Sequence, residues 1–212
     1  MTTFEGRALA CHRGGRMVFA ELAFALDDGA ALVLRGSNGA GKSSLLRLLA
    51  LLTPRRAGGL HWQGQEIDRD RDGHRARLRF IGHSDAIKPA LTAAENLLFA
   101  ARLADPALAA ARVDLALERL GLGRLGGQPA RFLSAGQRRR LALARLAASP
   151  GRLWLLDEPG TGLDTASLER LHALVADHRA GGGIVVASTH GDFDPPQAQT
   201  LDLDAFAAKA AA

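Results

Sequence analysis

The residues most able to do chemistry stand in one glycine-rich segment, which has the sequence Gly36-Ser37-Asn38-Gly39-Ala40-Gly41-Lys42-Ser43-Ser44. Its spacing matches the pattern G-x-x-x-x-G-K-S without a mismatch. Glycines let the backbone curl so that its N–H groups point at phosphate oxygens, and a following helix adds the positive end of its dipole. The segment therefore predicts a phosphate-binding loop in which Lys42 reaches the phosphates and the Ser43 hydroxyl binds Mg²⁺.

Two adjacent carboxylates, Asp157 and Glu158, follow the apolar segment 153–156. Ligands bind at the carboxyl ends of the strands in an open parallel sheet, so this position favours a functional role. Asp157 is the expected Mg²⁺ partner, and Glu158 is the expected base that polarises an attacking water. An acidic pair alone is more often the start of a solvated loop, and the phosphate loop upstream reverses that preference.

The segments around these residues predict strands that alternate with helices. An alternating pattern over 19–26 and an apolar run over 31–35 predict strands, and leucines at helical spacing predict a helix that Thr53 and Pro54 stop. This arrangement predicts a mainly parallel sheet with both faces covered. It continues after residue 133, with helices expected over 134–148 and 165–179 and buried strands over 153–156 and 184–188.

Residues 84–132 differ in character from the rest of the chain. Alanine-rich helical patterns over 93–103 and 106–120 alternate with glycine breaks, and no strand pattern is evident. We therefore expect a helical lobe here, inserted into a single α/β unit whose core is formed by residues 1–83 and 133–212.

Composition limits the classes of partner. The 27 Lys and Arg residues outnumber the 22 Asp and Glu residues, which could suggest nucleic acid or an anionic membrane surface. The arginines are scattered, however, so we expect no nucleic-acid partner. Cys11 is the single cysteine and the first residues lack a secretion signal, which favours a reducing cytosol. Charged residues cut every apolar run well short of a membrane span, so the chain itself is not expected to cross a bilayer.

Further motifs carry a resemblance to a known family. The segment Leu133-Ser134-Ala135-Gly136-Gln137 resembles the LSGGQ signature of ABC ATPases, with alanine at its third position. Thr161-Gly162-Leu163-Asp164 resembles the family's D-loop, Leu91-Thr92-x-x-Glu95-Asn96 the start of its helical lobe, and His190 its switch histidine. The resemblance covers nearly the whole chain. It implies a P-loop NTPase core with a mainly parallel sheet, an N-terminal antiparallel β subdomain and an inserted helical lobe.

More narrowly, the chain resembles the ATP-binding subunits of the cytochrome c maturation system, often described as haem exporters. The stretches that carry this resemblance are LRGSNGAGKSSLLRLLALLTP, IGH followed by IKPALTAAENL, and LSAGQRRRLALARL. It implies an ATPase on the cytoplasmic face of the inner membrane that powers haem delivery with integral membrane subunits, and no direct haem binding is assigned. Two alternatives stay open: an ABC transporter subunit for another solute, and a non-transport ABC ATPase of DNA repair or translation.

Two departures from the broad family pattern concern the nucleotide. His83 stands at the Q-loop position, where most members have glutamine, so its contact with the γ-phosphate region is assigned by resemblance alone. The base-stacking position is usually aromatic, and here the chain offers His12 or Arg13. The selectivity for ATP over GTP is therefore left open.

The resemblance also implies that two copies are needed. In the family fold, Ser134 and Gly136 contact the γ-phosphate bound by the opposite subunit, with Asp164 at the same interface. One phosphate loop and one signature per chain predict a homodimer or a pairing with a homologous chain. The segment 83–91, and within it residues 87–89, is the expected contact for a membrane subunit.

Overall fold

The computed structural model describes residues 2–104, 111–149, 151–191 and 193–207. Its strands, in chain order, are β1 (Phe4–Arg13), β2 (Arg16–Leu26), β3 (Ala31–Arg35), β4 (Ala57–Trp62), β5 (Gln65–Glu66), β6 (Leu78–Ile81), β7 (Leu153–Asp157), β8 (Ile184–Ser188) and β9 (Gln199–Asp202). Its helices are α1 (Lys42–Leu49), α2 (Arg71–Arg77), α3 (Ala93–Ala104), α4 (Ala111–Arg119), α5 (Ala135–Ala148), α6 (Thr165–Ala180) and α7 (Asp204–Ala207).

Within the described ranges, five strands form a parallel sheet in the order β6-β7-β8-β3-β9. Every residue of β7 and β8 is buried, because helices and a second sheet cover both faces. Parallel strands bring their carboxyl ends to one edge of the sheet. That edge gathers the loops after β3, β6, β7 and β8, which carry the glycine-rich segment, His83, Glu158 and His190.

The parallel sheet separates two apolar cores. On one face, α1 and the antiparallel strands bury residues that include Phe19 and Leu45. On the other face, the helical lobe, α5 and α6 bury residues that include Leu171. Successive residues of β7 point to opposite faces, so Leu155 enters the first core and Trp154 the second. Full burial of one such side chain contributes about 1.5–3 kcal/mol.

Four further strands of the described chain form an antiparallel sheet in the order β2-β1-β4-β5. A two-residue turn joins β1 to β2, and its residues Gly14 and Gly15 have φ values of 58° and 76°. Positive φ at both central positions matches the twist of a tight hairpin. Phe4 packs against Phe24 and Trp62, with ring centroids 5.3 and 5.8 Å apart, which ties the three longer strands together.

The helical lobe begins with two local hydrogen-bond networks. Thr92 and Glu95 form a reciprocal cap, because each side chain accepts from the other residue's amide, at 3.2 and 2.8 Å. Asn96 accepts from the Lys88 amide at 2.8 Å and donates to the Lys88 carbonyl at 3.0 Å. These contacts fix the segment that joins the core to α3. The described residues between β6 and α5 contain helices and turns and no strand.

The predicted fold class is confirmed, and the end of the first predicted helix needs correction. The first helix does not continue to Thr53, because α1 ends at Leu49 and Leu51 turns the chain with a φ of 56°. The helix expected over 106–120 is described from Ala111, and residues 105–110 lie outside the described ranges. In the part of the chain that the structure describes, no helix has the length and apolar character of a membrane span.

Candidate active site

The glycine-rich loop connects β3 to α1. Gly36, Gly39 and Gly41 have φ values of 132°, 90° and 103°, in the left-handed region that favours glycine. At Gly41 a Cβ atom would also lie only 2.5 Å from Cγ1 of Val18, so a larger residue does not fit. The loop thus leads directly into the N-terminus of α1, where unpaired N–H groups can bind an anion.

Charged side chains hold the base of this loop. The buried ammonium of Lys42 donates to the carbonyl oxygens of Gly36 and Ser37, at 2.7 and 3.1 Å, and the Ala40 amide also donates to the Ser37 carbonyl. From the C-terminal side, Asp204 accepts from the amide and the hydroxyl of Ser37, both at 2.8 Å. The hydroxyl and amide hydrogen bonds lower the pKa of Asp204, so the carboxylate stays ionised.

The first carboxylate of the acidic pair lies against the loop. Asp157 is 2% exposed, and its Oδ1 accepts from the hydroxyls of Ser43 at 3.0 Å and Ser188 at 2.7 Å. A hydroxyl and a carboxylate oxygen side by side are the ligands that Mg²⁺ prefers. The site therefore fits a magnesium ion held between Ser43 and Asp157. Ser188 is a contact that the sequence did not reveal.

The second carboxylate faces the other way. Nε2 of His190 lies 3.2 Å from Oε1 of Glu158, and both side chains are partly exposed. The Glu158 amide donates to the hydroxyl of Ser188 at 3.0 Å. Glu158 itself has a φ of 49°, which is rare for a residue with a side chain. This backbone conformation turns the carboxylate out of the strand direction toward the histidine.

These groups meet in one open pocket of about 260 Å³. Its position, over the glycine-rich loop and beside Glu158, gives room for phosphate groups next to a carboxylate base. Arg13 lines the pocket, whereas His12 does not, so Arg13 is the better placed of the two candidates for contact with a base ring. The lining residues are Arg13, Asn38, Gly39, Gly41, Lys42, Ser43, Ser44, Glu158 and His190.

His83 lies in a neighbouring pocket of about 180 Å³ rather than over the phosphate loop. Glu158 borders both pockets, so the histidine shares a cavity with the expected base. The other lining residues come from the signature helix and from the segment before α6: Ala135, Arg139, Thr161 and Gly162, with Asp85 from the His83 loop. The sequence did not single out Arg139.

The predicted site residues of the signature and of the D-loop segment also lie outside the phosphate pocket. Ser134 caps α5, because its hydroxyl accepts from the Gln137 amide at 3.2 Å, and the Gln137 side-chain oxygen accepts from the Ser134 amide at 2.8 Å. Asp164 caps α6 by accepting from the Ser167 amide at 2.8 Å. Hydrogen bonds from the side chain and amide of Ser167 lower the pKa of Asp164. Gly136 lies beside the carbonyl of Gly162, so these residues share one surface.

Comparison with known proteins agrees with this arrangement. The ABC transporter family model matches residues 19–161. The chain is 55% identical over 208 residues to the cytochrome c biogenesis ATP-binding export protein CcmA of Paramagnetospirillum magneticum, covering 97% of this chain and 96% of that one. It is 53% identical over 204 residues to the protein of the same name from Rhodospirillum rubrum, covering 96% of this chain and 87% of that one.

A solved structure, that of an ATP-binding subunit of an ABC transporter, superposes with a TM-score of 0.77 at 24% identity. The superposition covers 89% of this chain and 80% of the other chain, and it supports the fold alone. The chain therefore belongs to the ABC transporter family as an ATP-hydrolysing subunit, and within it to the cytochrome c biogenesis ATP-binding export proteins.

Proposed function

We propose that the chain powers a membrane complex that delivers haem for cytochrome c biogenesis, from the cytoplasmic face of the inner membrane. The observation that carries the ATPase part is the contact of Ser43 with Asp157 beside the Glu158–His190 pair, all at the mouth of one phosphate loop. The pathway rests on the relatives, which are export proteins of cytochrome c biogenesis and cover nearly the whole chain.

The substrate is Mg-ATP. The amides of the glycine-rich loop and of the start of α1 bind the phosphates, and Lys42 moves its ammonium from the loop carbonyls to the β- and γ-phosphates. Ser43 and Asp157 would hold Mg²⁺, and the ion would supply charge neutralisation at the phosphate oxygens. Arg13 is positioned to stack its guanidinium on the base at the edge of the pocket.

Hydrolysis needs a base and a group that orients it. Glu158 accepts a proton from the attacking water, and His190, at 3.2 Å from the carboxylate, holds Glu158 and the γ-phosphate region in place. Ser134 and Gly136 supply the second clamp on the γ-phosphate from an opposite copy, and Asp164 lies at that interface. His83 borders the neighbouring cavity that Glu158 also lines, and it acts on the hydrolysis site from that cavity.

The working unit is therefore a pair of chains, most simply a homodimer. Ser134 is exposed and is absent from the lining of its own phosphate pocket. The N-terminus of α5 can still offer a hydroxyl and amides to an anion. In a single chain, these donors do not reach the phosphate pocket of that same chain. A two-fold pair lets each signature face the other chain's phosphate loop, so both sites are completed at one interface.

A groove beside the lobe is the proposed seat for an integral membrane subunit. Its volume is about 460 Å³, and it is bordered by Ile87 and Lys88 of the joining segment and by Phe99 and Leu103 of α3. Phe99 and Leu103 are 47% and 75% exposed and lie one helical turn apart, and contiguous exposed apolar side chains of this kind mark interaction sites. An apolar segment of a membrane subunit, with a carboxylate near Lys88, matches this chemistry.

The experiment compares two matched variants in a bacterium that lacks its own copy of this subunit. Phe99→Glu places a charge in the groove, and Leu115→Glu places the same charge at a 63% exposed leucine on α4. We expect Phe99→Glu to lose co-purification of the membrane subunits and covalent haem on c-type cytochromes, and Leu115→Glu to keep both. Holocytochrome formation unaffected by deletion of the whole gene would refute the pathway.

A further inference from the structure

Arg139 is a buried arginine on the signature helix α5, with 7% of its surface exposed. Its Nη2 donates to two successive carbonyl oxygens at the end of β7, those of Asp157 at 2.9 Å and Glu158 at 2.7 Å. The guanidinium thus holds the backbone carbonyls on both sides of the Cα of Glu158, the residue expected to act as the base. An arginine fork suits this task, because its donors have a fixed planar geometry.

The backbone that Arg139 holds is in an uncommon conformation. Glu158 has a φ of 49°, which a residue with a side chain adopts only when its surroundings enforce it. Ser188 fixes the Glu158 amide from one side, and Arg139 fixes the Glu158 carbonyl from the other. The direction of the Glu158 carboxylate therefore depends on both contacts.

The other end of the same guanidinium reaches the joint between core and lobe. Nη1 donates to the Gly82 carbonyl at 3.0 Å and to Oδ1 of Asp85 at 3.2 Å. His83 lies between these two residues and borders the same cavity as Glu158. One side chain thus connects the signature helix, the His83 loop and the base.

We propose that Arg139 is a positioning residue, which orients Glu158 for hydrolysis and ties that orientation to the His83 loop. The proposal rests on the role of Glu158 as the base. A shift of Asp85 relative to α5 moves the guanidinium, and with it the carbonyl that fixes Glu158. The joint that borders the membrane-subunit groove is thereby connected to the reacting end of the site.

The test measures hydrolysis and binding separately on the purified full chain at saturating Mg-ATP. Arg139→Gln should lower kcat about 10²-fold, since a small misplacement of a reacting group has that effect. The Kd for Mg-ATP should stay within a factor of about three, because the contact acts on the transition state. Arg140→Gln is the matched control: the neighbouring side chain donates to lobe carbonyls instead, those of Leu120 and Gly121.

A double-mutant cycle separates positioning from a general structural effect. Single-turnover rates with γ-labelled ATP should fall less than about three-fold when Arg139→Gln is added to Glu158→Gln, because the two residues act as one unit. A full additional loss in that background would overturn the proposal. Arg139→Lys should recover only part of the rate, since one ammonium cannot span both ends, and complete recovery would also overturn it.

Asp85→Asn is a second variant that tests the proposal even if Arg139→Gln fails to fold. It leaves the buried Arg139 guanidinium its three carbonyl partners. We expect a few-fold loss of kcat with unchanged Tm and Kd, and an unchanged kcat would remove the claimed link to the His83 loop. The two proposals fail in different ways. If Glu158→Gln hydrolysed ATP at the wild-type rate, the role of Glu158 as the base would be refuted. If Glu158→Gln lost hydrolysis and Arg139→Gln kept it, only the positioning role of Arg139 would be refuted.

Discussion

The phosphate pocket and the signature surface are the two regions that we propose bind phosphate, and they differ in how complete they are. At the pocket, Lys42 and Ser43 at the start of α1 lie beside Asp157 at the end of β7, within one chain. At the signature surface, the side chains of Ser134 and Asp164 accept the hydrogen bonds that cap their own helices. This contrast supports the proposal that one region binds nucleotide alone and that the other serves a nucleotide held by a second copy.

The largest expected effect compares two ways of disabling the pocket. Glu158→Gln should lower the hydrolysis rate about 10²–10⁴-fold, the usual effect of losing a general base. Nucleotide binding should persist, so a nucleotide-bound dimer should accumulate on size exclusion with Mg-ATP. Lys42→Ala should also stop hydrolysis, but it should prevent dimer formation because the phosphates lose their cation. A monomeric Glu158→Gln protein at saturating Mg-ATP would break the comparison.

The next experiment asks whether the two regions belong to different chains. Lys42→Ala disables the pocket, and Ser134→Asp places a negative charge on the signature surface; each variant alone should hydrolyse ATP only at background. An equal mixture should recover roughly a quarter of the wild-type rate, because half of the pairs are mixed and each mixed pair has one complete site. Mixtures that stay at background would show that pocket and signature of the same chain work together.

A smaller effect tests what Asp164 does beyond capping. Asn is as good an N-cap as Asp, so Asp164→Asn should keep the Tm, whereas Asp164→Ala should lower it. The pKa of Asp164 is lowered by its Ser167 hydrogen bonds, so the charge is present at any pH where the enzyme works. If that charge acts across the dimer, Asp164→Asn should lose several-fold in hydrolysis without losing stability. Equal activity of Asn and wild type would restrict Asp164 to capping.

The same contrast explains how much the sequence predicted. The residues of the glycine-rich loop, of the acidic pair and of the signature are each contiguous in the sequence. Each motif has a spacing that its chemistry imposes. Ser188 was not predicted as a hydrogen-bond partner of Asp157, because 31 residues separate them and only the pairing of β7 with β8 brings them together. Asp204 is 167 residues from Ser37, and its role depends on β9 joining the sheet edge beside β3.

Two of the strands that the sequence did not predict, β1 and β9, have a physical reason. β1 exposes Arg7, His12 and Arg13 and has register shifts, so its apolar residues do not alternate cleanly. β9 is an edge strand with mostly exposed residues, which gives it no apolar pattern at all. Burial on both faces made β7 and β8 evident, whereas the irregular burial pattern of β1 and the exposure of β9 leave no such signal in the sequence.

The smallest effect concerns the scaffold that both regions share. On α6, which Asp164 caps, the ring of His178 stacks on Trp154 with centroids 3.7 Å apart. Burial lowers the pKa of His178 to about 4, with Arg152 adding to the effect. Since the unfolded pKa is about 6.5, stability from the neutral ring is complete above that pH. It should be lost between pH 6.5 and 4, at up to about 1.4 kcal/mol per pH unit.

A thermal series over that pH range measures this contribution and keeps it apart from catalysis. His178→Gln should give a flatter dependence of Tm on pH than the wild type, with a lower Tm at pH 7.5 because the stacking contact is lost. His172→Gln, on the same helix against Phe193, is the control for losing an aromatic contact. The mixture of Lys42→Ala and Ser134→Asp chains is then measured twice, once with His178 and once with His178→Gln in every chain. At each pH, its hydrolysis rate divided by that of the matching protein without the two site mutations should be the same in both backgrounds. A ratio that changed with His178 would mean that the shared helix, and not the two separate regions, sets how the dimer completes its sites.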